Sequence, residues 1–106
     1  MPKTEYPGGP LVHECAKCAD GFSMSVQASQ TNYSEPRDNV GPWYSVEVGF
    51  PSHLDILLQP YAEDPSNPTD TVYGYVPSKI VQAVVDAHGG LVGGEIPKLI
   101  IEEEEY

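Results

Sequence analysis

Residues 22–29, FSMSVQAS, alternate without a break: Phe22, Met24, Val26 and Ala28 on one side, Ser23, Ser25, Gln27 and Ser29 on the other. A period of two predicts a β-strand with one buried and one wet face. WYSVEVGF, 43–50, repeats the pattern with Tyr44, Val46, Val48 and Phe50 against Ser45, Glu47 and Gly49, and stops at Pro51. TVYGYV is a third strand, its Val72, Gly74 and Val76 opposite Tyr73 and Tyr75. Residues 11–18 alternate weakly and predict a strand that reaches 22–29 through a hairpin turn at Asp20-Gly21, a favoured hairpin dipeptide. EIPKLI reads as a short edge strand.

One segment changes period. In PSKIVQAVVDAHGG, the residues Ile80, Val81, Val84, Val85 and His88 recur at three-four spacing, which predicts an amphipathic helix. Pro77 suits its first turn and Gly89-Gly90 its end. HLDILLQPY fits neither period, and Pro60 closes it. Between these elements lie two turn-rich stretches, QTNYSEPRDNVGP and AEDPSNPTD, whose prolines oppose regular structure. Residues 1–10 read as a loose Pro/Gly-rich arm, and 102–106, EEEEY, as a solvated, disordered acidic tail. The expectation is a single α+β domain over residues 1–101, an antiparallel sheet of about four to five strands with one helix packed on one face.

Charge narrows the function classes. The chain carries sixteen Asp/Glu against five Lys/Arg, a net charge of −11, and no Lys or Arg stands between Arg37 and Lys79. Such a surface repels nucleic acid and anionic membranes and steers toward basic partners. No run approaches the roughly 18–20 apolar residues of a membrane span, and the first ten residues hold no apolar signal core. With two closely spaced cysteines, the expectation is a soluble, cytoplasmic protein.

The chemistry-bearing residues are few. HECAKC places His13, Cys15 and Cys18 within six residues, three of the four ligands a structural zinc site needs. No second Cys/His pair accompanies them, and strand alternation sets His13 and Cys15 on one face and Cys18 on the other. No helix follows the cysteines to lower a thiol pKa, as a redox pair requires. The reading is a reduced pair with at least one cysteine buried, and no metal or cofactor is expected. His53 has Asp55 two residues on as a partner that could orient it, and His88 is placed to interact with the helix dipole. HGGLVGG follows a helix instead of preceding one, so it makes no phosphate cradle. No catalytic motif emerges.

What remains is a binding surface. Tyr73 and Tyr75 share one face of a strand in this reading. Tyr33, Trp43 and Tyr61 lie in or beside the two loops, with Glu35, Arg37 and Asp38 in the first and Glu63 and Asp64 in the second. Tyr and Trp are enriched in binding hot spots. The run CADGFSMSVQASQTNYSEPRDNVGPWYSVEVGFPS, with YAEDPSNPTDTVYGYVP and HGG, resembles small uncharacterised accessory proteins of bacteriophages and prophages, over roughly residues 15–90. The resemblance implies a non-enzymatic protein that binds and inhibits a host protein or defence complex, the partner being basic or nucleic-acid-binding. A small-molecule or nucleotide-sequestering module walled by loops 31–43 and 61–71 is the alternative, and a small zinc protein a third reading. A homodimer is compatible with each.

Overall fold

The strongest alternating segments form the centre of the sheet. In the computed structural model, residues 13–29 and 31–101 are described in full, along with the backbones of two short paired strands, β1 (Glu5–Tyr6) and β2 (Gly9–Pro10). The arm and tail expected at 1–10 and 102–106 otherwise lie outside the described residues. The main sheet contains β3 (Ala16–Cys18), β4 (Ser23–Gln27), β5 (Ser45–Gly49), β6 (Val72–Pro77) and β7 (Leu91–Gly93). All neighbours pair antiparallel, in the order β6-β5-β4-β3-β7. Four strands form a meander. The helix α1 (Ser78–Ala87) then carries the chain from one edge to the other, where β7 joins β3. The α+β expectation of one helix on an antiparallel sheet therefore holds.

Alternation in β4 survives intact: Phe22, Met24, Val26 and Ala28 are buried, while Ser23, Ser25 and Gln27 stay partly wet. They share one core with Val46, Val48, Tyr73 and Val76 and with Val81, Val84 and Val85 of α1. Burying each Val side chain contributes roughly 1.5–3 kcal/mol. The Asp20-Gly21 turn closes as expected, with Gly21 at φ +96° and the Phe22 amide bonded to the Asp20 carboxylate.

Four expectations need correction. Tyr44 and Phe50 are exposed, because β5 spans only Ser45–Gly49 and both lie beyond its ends. Tyr73 and Tyr75 do not share a face. Val46 pairs with Val76 and Val48 with Tyr73, so three steps of β6 oppose two of β5. The extra residue makes a bulge, Tyr75 takes φ +51°, and the alternation inverts: Tyr73 is 0% exposed and Tyr75 43%. Pro77 ends β6 and caps α1 from outside its first turn. The last edge strand is Leu91–Gly93, not EIPKLI, whose Leu99 forms a lone parallel bridge to Trp43. The segment without a clear period is a series of turns ending in a 3-10 turn, Gln59–Tyr61.

Candidate functional site

Strand β6 brings the two candidate loops together along one sheet edge. The Tyr75 amide donates to the Tyr33 carbonyl (3.0 Å), and the Glu63 amide to that of Val72 (3.0 Å), beside an Ala62–Tyr73 bridge. Serine and asparagine side chains hold the first loop. Buried Ser34 donates its hydroxyl to the Ser29 carbonyl (3.1 Å), and Glu47 on β5 accepts from the Asn32 amide group (3.1 Å) and the Tyr33 backbone N–H (3.2 Å). The Tyr33 side chain packs beside Gly74. Tyr33 and Tyr75 rings then stand 5.8 Å apart, tilted by 33°, both exposed.

The remaining predicted binding residues separate into three groups. Glu35, Arg37, Glu63 and Asp64 are exposed, and Asp38 is half-buried. The Gly41 and Val40 amides hold the Asp38 carboxyl below its ordinary pKa, and the Ser66 hydroxyl and Asn67 amide do the same for Asp64. Tyr61 is half-buried. Trp43 and Tyr73 are core residues. Trp43 is held by backbone bonds to Lys98 and Ile100, and its indole N–H has no acceptor among the described residues. Tyr73 donates its hydroxyl to the Pro68 carbonyl and pins the second loop from inside. Burial, then the Asp55 charge, pushes its pKa up.

A second cluster escaped sequence reasoning. His88, just past α1, donates from Nδ1 to Asp20 (2.7 Å) and from Nε2 to Asp55 (2.8 Å), and its ring stacks on Phe22 with centroids 4.0 Å apart. A neutral imidazole has one N–H, whereas two carboxylates require two donors. The two contacts therefore favour the imidazolium form of His88, and bonds to Asp55 and then Asp20 raise its pKa. Asp20 is lowered, chiefly by the Phe22 amide and next by His88. With both nitrogens engaged, His88 is a poor general base and a good cross-link between hairpin turn, helix end and the loop 50–58. Its partners lie 33 and 68 residues away, so no local motif could reveal it. Asp55 serves His88, not His53, which bonds instead to the Ser52 hydroxyl (2.8 Å).

The HECAKC ligands also part company. Cys18 is buried and Cys15 exposed, as alternation predicts, but His13 is buried and does not share the face of Cys15. Backbone and carbonyl of His13 bond to the Gln27 side chain, and its ring faces Glu95 at 3.5 Å. No group of three His, Cys, Asp or Glu residues among those described is arranged to hold a metal ion. Burial and Asp20 raise the Cys18 thiol pKa, so it is not activated. No helix of the described residues is long and apolar enough to cross a membrane. Compared with protein-family models, curated proteins and solved structures, the chain shows no match.

Proposed function

We propose that the chain is a non-enzymatic binding module that docks a basic protein partner through the Tyr33–Tyr75 pair and its neighbouring carboxylates. In the phage setting implied by the sequence resemblance, the partner is a host protein in the bacterial cytoplasm, inhibited by occlusion of a cationic surface. One observation carries the reading. Tyr75 holds a left-handed backbone at φ +51°, which costs a non-glycine residue roughly 1–2 kcal/mol, and the conformation turns its ring outward beside Tyr33. Two large rings set side by side at an exposed edge offer contact area, and tyrosine has few rotatable bonds to order on binding.

A half-open depression of about 230 Å³ among the described residues is lined by Asp20, Phe22, His53 and His88, none of which belongs to the loops 31–43 and 61–71 that would wall a small-molecule site. The test is affinity purification from bacterial cells with wild type and Y33S/Y75S, followed by titration of the recovered partner. A partner retained equally by both proteins refutes the tyrosine surface, and a complex indifferent to salt refutes the electrostatic part.

A further inference from the structure

Carboxylates of the described residues stand at both ends of the sheet, whereas Arg37, Lys79 and Lys98 gather at one, leaving His88, bound to Asp20 and Asp55, as the cation of the other. β3 ends, β4 begins, β5 ends and β6 begins at one end, where the Asp20 turn, the loops 50–71 and the close of α1 converge. That end holds Asp20, Asp55, Glu63, Asp64, Asp70 and Asp86. Arg37, Lys79 and Lys98 belong to the other end: Glu35 bridges to Ser45, Lys79 follows the Pro77–Ser45 pair, and Lys98 bonds Trp43. Lys17 lies along β3, its stem against Gly93.

The Asp20 end exposes four apolar side chains between residues 50 and 57, Phe50, Leu54, Ile56 and Leu57, with Ile56 81% and Leu54 58% open. The stretch is fastened down. The Phe50 amide bonds to Thr71 (3.1 Å) and that of Ser52 to Ser23 (2.7 Å). Asp55 caps the Leu57 amide (2.8 Å) and grips His88, and Leu58 is fully buried. Four apolar side chains thus stand outward on a backbone tied to β4, β6 and His88 by these bonds. Exposed apolar patches rimmed by polar groups mark interaction sites.

We propose that residues 50–57 form a second docking surface, distinct from the tyrosine pair, for a cationic amphipathic segment of a partner protein. Its apolar side chains would sit on Leu54, Ile56 and Leu57, and its Lys or Arg residues would face the surrounding carboxylates. Charge complementarity selects this occupant. A second copy would set the same carboxylates against one another, and an anionic lipid surface would be repelled.

The probe is a fluorescein-labelled amphipathic helix of Leu and Lys, about 18 residues or five turns, titrated by anisotropy. L54S/I56S, at exposed positions, weakens binding about tenfold or more. E63Q/D70N weakens it several-fold and flattens its salt dependence. E35Q/D38N, removing equal charge at the other end, and Y33S/Y75S stay within about twofold of wild type. Unchanged thermal midpoints confirm that the variants fold. The proposal is overturned if L54S/I56S binds as wild type, or if E35Q/D38N weakens binding as much as E63Q/D70N. Equal binding of a Lys/Ser peptide lacking apolar residues overturns it too. So does a concentration-dependent dimer, or binding to phosphatidylcholine/phosphatidylglycerol vesicles, that L54S/I56S abolishes. Because Y33S/Y75S leaves this binding intact, failure here and failure of the tyrosine surface are separable.

Discussion

Replacing His88 with alanine removes a side chain that ties the β3–β4 turn, the end of α1 and the loop 50–58 to each other. The Nε2–Asp55 bond, charge-assisted and on a carboxylate only 9% exposed, contributes about 1.5–3 kcal/mol. Stacking on Phe22 adds about 0.5–1.5 kcal/mol. The imidazole is itself 22% open to solvent, so the lower part of the range applies, about 2–3 kcal/mol. For a chain of this size each kcal/mol lowers the melting temperature by roughly 4–8 °C, so H88A melts about 10–20 °C below wild type. The loss depends on pH in a defined direction. His88 has a folded pKa above its unfolded value of about 6.5, so its stabilisation is complete below that pH and disappears as pH rises through the folded pKa. Asp20 has a lowered folded pKa, so its contribution is present above about 3.9 and disappears as pH falls through the folded value. Wild type and H88A therefore differ most between about pH 4 and 6.5 and converge toward alkaline pH. Urea titrations of both proteins at pH 5.5, 7.5 and 9.5 measure this. A difference that stays constant across the three would refute the charged clamp.

Thiol chemistry offers a quick check on the cysteines. Exposed Cys15 reacts with a disulfide reagent in the native state, while Cys18, buried and raised in pKa, reacts only on unfolding; two equally fast thiols would contradict this burial. Gly94→Ala puts a Cβ 1.8 Å from the Cys15 carbonyl oxygen at a residue with φ +72°, and should cost at least about 2 kcal/mol in urea titrations. Tyr73→Phe removes the hydrogen bond to Pro68 and should cost about 1 kcal/mol, with faster amide exchange confined to residues 61–71.

The fold was legible where one chemical pattern sufficed. FSMSVQAS and the Val81, Val84, Val85 spacing each encode their own burial, and Asp20-Gly21 encodes its turn. Reading failed where a distant partner decides. Nothing in TVYGYV signals the extra residue, because the bulge exists only against Val46 and Val48 of β5, and it sends Tyr73 inward and Tyr75 outward. Trp43 looks like a loop residue until Lys98 and Ile100 close over it. His88 was placed by its helix end, a local effect, while its two carboxylates come from elements far along the chain. The candidate surface was thus half visible: the two loops both flank β6, Tyr33 beside Tyr75 and Glu63 at Val72, whereas Tyr73 and Trp43 serve the core.

Site-directed photo-crosslinking tests the binding proposal most directly. A benzophenone amino acid placed at Tyr33 or Tyr75 in bacterial cells should yield one discrete adduct with a basic protein, and the same group at exposed Val40 or Val92 should not. Loss of that adduct at high salt would accord with a charge-steered contact. No adduct at either tyrosine, or an identical pattern from all four positions, would contradict a docking surface built on the Tyr33–Tyr75 pair.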